Sequence, residues 1–466
     1  MNGTNSPTHE KAHQINQNPM QYGSFAEIGA GQEVARWFFQ VGGAAKTIAK
    51  TISAYDMKIS DSLYGPAQRY VSRQRLEAML TQEYTKVLEG LAATRGENST
   101  FFSFADTVAT RKPGHTENGR GWIGVCFQTK PFEEPSQIIA HVHLLEPTAV
   151  LQQLTLGVLG VNLIYAAFNH RDDLTALVAS LTDDVPTDRF DLDMIKVSGP
   201  AFAGVDNRLL SLQLVEQKLT DAAMFTSECE VVQPSEVLYN KPILVVRGSF
   251  RPATKLTVDL LERARDLFVK EPENAGSEVI VLAEMTLNNL LSGAAVSHED
   301  FLERAEILHA LGIDVLISNF KPYYQLADYL AGYTNRLIGI AVGLPGLREI
   351  LDEQYYEELG GGALESIGRL FKRSVKMYVY PAIDPATGAV LQLDNAPLPH
   401  PGHHLRDLLI DLHRVEMIQP SRTEYLPIQP PDVLAKLQTG DPAWEDMVPP
   451  AVAKCIKDEK LLGYKG

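Results

Sequence analysis

The chain has 466 residues, 45% of them hydrophobic and 21% charged, which is typical of a soluble globular protein with about two or three domains. Its 42 basic and 58 acidic residues give a net charge of −16. This balance disfavours nucleic-acid and anionic-membrane binding, since both depend on clustered Lys and Arg. The three cysteines form no CxxC pair, so neither a disulfide framework nor a zinc knuckle is indicated.

The N-terminal half predicts a tail and then a helical region. Residues 1–28 are rich in Asn, Gln, Ser and Pro and lack the apolar core of a signal peptide, so we expect a disordered tail. Residues 29–118 are assigned to a helical region, because helical periodicity covers 32–59 and 71–93. The polar segment 97–118 is expected to be a loop.

Residues 119–241 predict an α+β unit. Its strands are expected at 121–128, 138–145 and 190–197, and its helices at 148–169 and 209–220. The longest apolar run, 154–168, is interrupted by Gly157, Gly160 and Asn162 and predicts a buried helix rather than a membrane span. We therefore expect a soluble, cytoplasmic protein without membrane or nucleic-acid partners.

From residue 243 the pattern becomes regular, with apolar strands alternating with helices. The strands are predicted at 243–246, 278–282, 314–318, 337–342 and 375–380, and the helices at 255–270, 298–311, 323–333, 347–358 and 404–415. Such alternation predicts an α/β fold with a mainly parallel, Rossmann-like sheet, assigned to 242–417. The Pro-rich extension 418–466 is expected to be extended and to contact a neighbouring copy, which predicts a homo-oligomer.

The segment 243–268, ILVVRGSFRPATKLTVDLLERARDLF, combines a buried strand, a Gly-Ser turn and an amphipathic helix. In open parallel sheets, ligands lie beyond the carboxyl ends of the strands. Amides of the turn and of the helix N-terminus would face an anion there, with Arg251 and Lys255 adding positive charge. Thr254 is expected to cap the helix.

The same segment resembles the first motif of the nicotinamide and nicotinate mononucleotide adenylyltransferases, roughly G-[ST]-F-x-P-x-[HT]-x-x-H. The matching residues are Gly248, Ser249, Phe250, Pro252 and Thr254. The resemblance implies a nucleotide ligand, with ATP and Mg²⁺ as cofactors, bound at Gly248, Ser249, Phe250, Thr254 and Lys255. An active member would join ATP to nicotinate or nicotinamide mononucleotide and release pyrophosphate.

The final histidine of that motif is replaced by Thr257. In the family this histidine contacts the nucleotide phosphates, whereas a threonine can donate a hydrogen bond but carries no positive charge. The family's second segment, I-S-[ST]-x-x-[IV]-R, has its nearest counterpart at 317–321, which lacks the arginine. We therefore expect a nucleotidyltransferase-like protein with weakened or lost catalysis. A non-catalytic scaffold or oligomeric binding protein is the alternative.

A further alternative comes from Asp191 and Asp193. The segment 190–199, FDLDMIKVSG, resembles the first motif of haloacid-dehalogenase-like phosphatases. The segment 304–319 resembles their second motif, a helix followed by a strand that ends in Ser318. However, the two aspartates alternate with apolar residues, as side chains on the solvent face of a strand would. The glycine and threonine that follow the aspartates in that family are also missing.

Two groups of histidines complete the candidates. His141 and His143 share one face of a predicted strand, with Glu146 close behind, but spacing reveals no third ligand. Polar residues on an exposed strand face are therefore favoured, and no metal site is assigned. His404 follows an H-x-G-H string and shares a predicted helix face with Asp407 and Asp411, which makes it, beside Thr257, a catalytic candidate.

Overall fold

The computed structural model describes residues 6–292, 295–398, 400 and 402–465. The chain is an α/β protein that divides into two compact units, Met1–Asp221 and Ala222–Gly466, which we call unit 1 and unit 2. Each unit is built around one large sheet.

Unit 1 contains a six-stranded mixed sheet. Its strands are β1 Gln21–Gly29, β2 Ile48–Ser53, β3 Thr100–Ala109, β4 Gly119–Phe127, β5 Ser136–Leu144 and β6 Phe190–Ser198. The spatial order is β2-β1-β3-β4-β5-β6. β1 pairs in parallel with β2 and β3, whereas β3 to β6 form an antiparallel meander.

Helices cover both faces of this sheet. They are α1 Pro7–Gln17, α2 Gln32–Gln40, α3 Met57–Tyr64, α4 Arg73–Arg95, α5 Ala149–Asn169, α6 Leu174–Ala179 and α7 Asn207–Glu216. Phe104 of β3 packs in the core with α5 and α2, while the hydroxyl of Ser103 donates to the carbonyl of Leu80 on α4 at 2.8 Å. Adjacent strand residues face opposite ways, so α5 and α4 lie on opposite faces. α5 is long and apolar enough to cross a membrane, but 61% of its most apolar window is buried, which fits the predicted core helix.

Three expectations for the N-terminal half are wrong. The described part of the expected tail 1–28 is ordered, because α1 is capped by Ser6 and β1 lies between β2 and β3 (residues 1–5 fall outside the described part). The predicted loop 97–118 contains β3, in which every residue except Ala109 is buried. A strand buried on both faces shows no alternation for a sequence pattern to detect. The helix expected over 32–59 is interrupted by β2.

Unit 2 contains an eight-stranded sheet. Its strands are β7 Ala222–Phe225, β8 Val231–Val232, β9 Ile243–Arg247, β10 Ile280–Thr286, β13 Asp314–Ser318, β14 Ile338–Gly343, β15 Val375–Tyr380 and β18 Val415–Met417. Four short strands form two separate hairpins, β11 Leu291–Ser292 with β12 Ala295–Val296, and β16 Ala382–Ile383 with β17 Val390–Leu391. The large sheet has the order β18-β15-β14-β9-β10-β13-β7-β8. The first six strands in this order, from β18 to β13, are mutually parallel, and β7 is antiparallel to β13.

The unit 2 helices are α8 Pro234–Leu238, α9 Lys255–Phe268, α10 Leu287–Leu290, α11 His298–Ala310, α12 Tyr323–Ala331, α13 Leu344–Ile350, α14 Gly362–Leu370, α15 Gly402–Asp411, α16 Pro430–Thr439 and α17 Pro450–Glu459. All five strands predicted from residue 243 onward are present, which confirms the mainly parallel sheet. The predicted helix 347–358 is replaced by α13, which starts earlier and has proline in its first turn.

The C-terminal extension is not extended. It contains α16 and α17, and Trp444 between them is almost fully buried. Both helices carry proline in their first turn, where the missing amide costs no helical hydrogen bond. The prediction of an extended segment from its proline content is therefore wrong, because these prolines lie in the first turns of helices.

Candidate functional site

The strand–turn–helix at Ile243 forms as the sequence predicts. β9 is buried up to Val246 and ends at Arg247, at the carboxyl edge of the parallel strands. Thr254 is the N-cap of α9, and its hydroxyl accepts the amide hydrogen of Thr257. The turn between strand and helix therefore lies where open α/β sheets hold ligands.

The backbone carbonyls of this turn are held from one side. Asn289 Nδ2 donates to the carbonyl of Gly248 at 3.4 Å, and Arg304 Nη1 donates to the carbonyl of Ser249 at 3.2 Å. Because a trans peptide is planar, the amides of Ser249 and Phe250 point away from these donors. Neither amide has an acceptor among the residues that the structure describes.

The first turn of α9 adds two more amide donors. The amides of Lys255 and Leu256 have no acceptor within the described part of the chain, as is usual at a helix N-terminus. The helix dipole places partial positive charge at this end. The turn and the helix together offer backbone donors that suit an anionic group such as a phosphate.

Gly248 is required by its neighbour. Phe250 is buried and has a φ of 51°, in the left-handed region, and this turns its ring over Gly248. A Cβ atom at position 248 would lie 3.1 Å from that ring, closer than ordinary contact. Phe250 is therefore part of the packing of the turn, and its ring closes one side of the motif.

Arg247 lies in a hydrogen-bonded cluster that the sequence did not reveal. Its Nε and Nη2 donate to the Glu284 carboxylate at 2.8 and 3.0 Å, and Nη1 donates to the carbonyl of Lys321 at 2.7 Å. The hydroxyl of Ser318 donates to the same carboxylate at 2.6 Å, and the guanidinium lies 4.3 Å from the ring centre of Tyr323. Residues at the ends of β9, β10 and β13 thus converge at one edge.

Charge at this edge is largely compensated. Burial alone would lower the pKa of Arg247, but the charge and hydrogen bonds of Glu284 raise it. Burial raises the pKa of Tyr323 to about 12, so its phenol stays neutral. The Glu284 side chain is fully buried and that of Arg247 is 11% exposed, so this pair is a fixed structural element rather than a free cation.

The remaining predicted side chains also have structural partners. Lys255 Nζ donates to the carbonyl of Asp446 at 2.6 Å, and Arg251 pairs with Asp300 at 2.5 Å. The Thr257 hydroxyl lies 3.2 Å from that of Thr254 and so belongs to the helix cap.

His404 does not form the predicted acid–base group. It is exposed on α15 and stacks against His403, with ring centres 4.0 Å apart. The carboxylate of Asp407 accepts from the neighbouring Arg406 Nε at 2.8 Å rather than from a histidine. Pro401, within the same string, lies outside the described residues.

Unit 1 brings together two pairs of residues that the sequence kept apart. His141 Nδ1 lies 2.7 Å from Asp193 Oδ1, and His143 Nε2 lies 3.1 Å from Asp193 Oδ2. His141 and Asp193 are buried, so their predicted place on an exposed strand face is wrong. Glu146 does not belong to this cluster, because its carboxylate pairs with Arg189 at 3.1 Å.

A β-bulge interrupts the pairing of β5 with β6 at this cluster. His141 pairs with Met194 and His143 with Asp191, so Leu192 and Asp193 together oppose one residue of β5. The extra residue changes the phase of β6: Phe190 and Leu192 enter the core before the bulge, and Ile195 and Val197 enter it after the bulge. Asp191 and Asp193 alternate with Phe190 and Leu192 and so lie on the face of the two histidines, and the bulge places Met194 on that face as well.

The electrostatics of the cluster follow from its burial. Burial alone would raise the pKa of Asp193, but the charges and hydrogen bonds of His141 and His143 lower it below 3.8. Burial opposes protonation of His143, yet its bond to Asp193 raises its pKa above 6.5. Burial and the neighbouring Asp193 raise the pKa of Asp191 to about 6.

Two further acidic residues are buried in the sheet of unit 1, Glu27 on β1 and Asp106 on β3. Glu27 accepts from the hydroxyl of Ser53 at 2.7 Å, and burial raises its pKa. Asp106 is fully buried, and neither of its carboxylate oxygens has a hydrogen-bond partner in the described chain. Burial and the nearby Glu27 raise the pKa of Asp106 well above 3.8.

Comparison with known proteins adds little to this geometry. No family model matches the chain, and no curated protein matches it. Among solved structures, the competence/damage-inducible protein CihA from Agrobacterium tumefaciens aligns at 14% identity over 36% of this chain and 98% of its own, with a TM-score of 0.26. A competence or damage-inducible protein from Enterobacter asburiae aligns at 10% identity over 35% and 99%, with a TM-score of 0.25. Similarity at this level supports no functional argument.

Proposed function

We propose that unit 2 is a Rossmann-like domain that binds a phosphate-bearing nucleotide at the β9–α9 turn and does not catalyse nucleotidyl transfer. ATP with Mg²⁺ is the ligand implied by the motif. The observation that carries the proposal is the order of the parallel strands.

Numbered along the chain, the six parallel strands β9, β10, β13, β14, β15 and β18 lie in the order 3-2-1-4-5-6. This order is characteristic of Rossmann folds, in which the ligand crosses the sheet where the strand order reverses. The reversal here falls between β9 and β14, which pair with Val246 opposite Ala341. The Gly248 turn therefore adjoins the Gly343 turn at the expected binding crevice.

The donors at this crevice favour phosphate binding without catalysis. The backbone amides of the turn and of α9 are available, whereas Arg247 is held by Glu284 and Lys255 by the carbonyl of Asp446. Phosphoryl transfer needs positive charge aimed at the transferring group, and Thr257 supplies none. The absence of the histidine thus removes nucleotidyl transfer but leaves in place the backbone amides that bind phosphate.

The phosphatase alternative is supported less well. Asp191 and Asp193 lie on β6 of unit 1, and Ser318 lies on β13 of unit 2, on separate sheets. Asp193 is bonded to two histidines, and Asp191 titrates with a pKa of about 6. In that motif the first aspartate is the nucleophile and the second the acid, but His141 and His143 lower the pKa of Asp193, so it does not hold the proton that an acid must donate.

Calorimetric titration of the purified chain with ATP, ADP, nicotinate mononucleotide and adenosine, each with and without Mg²⁺, tests the proposal. We expect binding of the phosphate-bearing nucleotides and none of adenosine, which lacks the phosphate. A parallel incubation with ATP, Mg²⁺ and nicotinate mononucleotide should yield no dinucleotide. Absence of nucleotide binding would refute the assignment of the site, and formation of dinucleotide would refute the loss of catalysis.

Cytoplasmic location and self-association stay predictions from the sequence. The scaffold alternative makes self-association the function itself and assigns no ligand to the β9–α9 turn. Light scattering of the purified chain distinguishes a monomer from an oligomer. A stable oligomer that binds no nucleotide would favour the scaffold.

A further inference from the structure

We propose that His141, His143 and Asp193 of unit 1 bind one divalent transition-metal ion, for which Zn²⁺ is the best match. The three side chains offer ligand atoms that all lie within 4.8 Å of one another. This site is independent of the nucleotide site proposed for unit 2. It uses none of the residues of the β9–α9 turn.

The geometry requires little adjustment to receive an ion. A tetrahedral Zn²⁺ with ligands at about 2.0–2.1 Å holds its donor atoms roughly 3.4 Å apart. The two donor distances to Asp193 are 2.7 and 3.1 Å, about 0.7 and 0.3 Å shorter than that spacing. Replacing the bridging protons by an ion therefore requires these donor atoms to move apart by about 0.3 to 0.7 Å.

The donor set is chemically selective. Two imidazoles and one carboxylate are preferred by Zn²⁺ and other borderline divalent ions, whereas Mg²⁺ and Ca²⁺ prefer oxygen donors. Three protein ligands leave at least one coordination position for water or a substrate, as in catalytic rather than structural zinc sites. The side-chain exposure rises from 2% at Asp193 and 7% at His141 to 22% at His143, so the open position lies on the His143 side.

The surroundings also favour a cation. Trp122 on β4 packs against His141, with ring centres 4.9 Å apart, and limits the rotation of that imidazole. Asp191 lies opposite His143 and adds a second carboxylate beside the cluster, while Arg120 on β4 also pairs with His143 across the strands. Two carboxylates against one guanidinium leave an excess of negative charge around the cluster, which favours a cation.

Two other groups compete for the same ions. Cys229, Glu306 and His309 of unit 2 also place their ligand atoms within 4.8 Å, but His309 is exposed and its Nδ1 is bonded to the carbonyl of Ser227. His403 and His404 also lie side by side on α15, where His403 is half-buried and His404 is exposed. The experiment must therefore separate a nitrogen–oxygen site from a thiolate site.

The test uses the full-length chain without an affinity tag, stripped of metal by a chelator and titrated with Zn²⁺ in a competition assay. We compare the wild type with His143→Gln and with Asp193→Asn. His170→Gln is the matched control, since His170 is a half-buried histidine of the same unit. Cys229→Ser removes the thiolate of the competing group, and circular dichroism verifies that every variant is folded.

We expect the wild type to bind one Zn²⁺ and His143→Gln to lose at least the 10–100-fold in affinity that changes around metal ligands typically cost. Asp193→Asn should lose as much, and His170→Gln and Cys229→Ser should bind as the wild type does. The Co²⁺ form should show ligand-field bands without a thiolate charge-transfer band. Should Asp193→Asn not fold, the result for His143→Gln decides the question.

Three results would overturn the proposal. They are a wild type that binds no Zn²⁺, a folded His143→Gln that binds it unchanged, and a thiolate band that disappears in Cys229→Ser. The first would leave the cluster as a hydrogen-bonded charge pair. The last would place the ion at Cys229 instead.

Discussion

Replacing Asp106 by asparagine should stabilise unit 1, and the gain should increase with pH. Asp106 lies fully buried on β3, and neither carboxylate oxygen has a partner within the described residues. A Cβ at Gly31 would come within 1.8 Å of Asp106 Oδ2, so the carboxyl group is tightly enclosed at this point. Asparagine has nearly the same shape and carries no charge that burial would penalise.

The magnitude follows from the raised pKa of Asp106. The folded chain keeps this proton at pH values where the unfolded chain, with an ordinary pKa of 3.8, has lost it. The wild type therefore loses about 1.4 kcal/mol of stability for each pH unit above the ordinary pKa, until the folded pKa is reached. At pH 7 the loss is at most about 4 kcal/mol, the value for a carboxyl group that stays protonated in the folded chain.

Hydrogen exchange of β3 peptides, measured by mass spectrometry between about pH 5 and pH 8 and corrected for intrinsic exchange, reports this difference locally. Asp106→Asn should protect β3 more than the wild type does, by a margin that grows with pH and then levels off. Asp172→Asn, whose carboxylate is 87% exposed, is the matched control and should change nothing. Equal or weaker protection in Asp106→Asn at every pH would contradict the reasoning.

Three further predictions concern the two candidate sites. Glu284→Gln leaves the buried Arg247 without its anionic partner and should lower the free energy of unfolding of unit 2, measured in urea, by about 3 kcal/mol. A decrease of less than about 1 kcal/mol would show that the pair is unimportant for stability. Thr254→Ala removes the cap of α9 and should cost about 1–2 kcal/mol in the same assay, and an unchanged midpoint would contradict the cap. In an NMR titration His143 should have a pKa above 6.5, because Asp193 stabilises its charged form. The stability that protonated His143 gives the folded chain is complete below pH 6.5 and is lost as pH rises through the folded pKa. Asp193→Asn should return the pKa of His143 toward 6.5, and an unchanged titration midpoint of His143 would exclude Asp193 as the cause.

The sequence predicted unit 2 better than unit 1. Apolar strands that alternate with helices have few other solutions than a parallel sheet, and the strands at 243–246 and 375–380 appear as β9 and β15. The order of these strands was not predictable, because it depends on long-range pairing. β18, at Val415–Met417, lies where the sequence placed the end of a helix, since three residues carry too weak a pattern.

In unit 1 the missed strands β1 and β3 share one physical cause, which is burial without alternation. β1 and β3 are covered on both faces, so their sequences show no contrast between polar and apolar positions. The third member of the histidine cluster, Asp193, was also missed, although it was examined as a possible phosphatase residue. Alternation placed Asp193 on one face of its strand, but its contact with His141 and His143 depends on the pairing of β5 with β6, which the local sequence does not reveal.

For the candidate nucleotide site, local chemistry was predicted and distant contacts were not. The cap at Thr254 is confirmed, because capping depends on residues three apart. The engagement of Lys255 by Asp446 joins positions 191 residues apart in the chain and leaves no trace in the local sequence. The bidentate pairing of Arg247 with Glu284 is likewise a product of the sheet register.

The most direct test of the central claim is the affinity of ATP·Mg²⁺ for the wild type, Ser249→Asp and Asn319→Asp. Ser249 is half-buried in the β9–α9 turn, and its side chain has no hydrogen-bond partner in the described chain, so the substitution should leave the fold intact. A carboxylate about 5 Å from a bound phosphate repels it by about 3 kcal/mol at an effective dielectric constant near 20, which corresponds to a loss of about 100-fold.

Asn319→Asp makes the same change of charge at the same edge but after β13, two strands from β9. That separation is about 10 Å, beyond the screening length of about 8 Å at physiological salt. The account predicts a large loss of ATP affinity in Ser249→Asp and almost none in Asn319→Asp. Equal affinities for all three proteins would place any nucleotide elsewhere and contradict the proposed site.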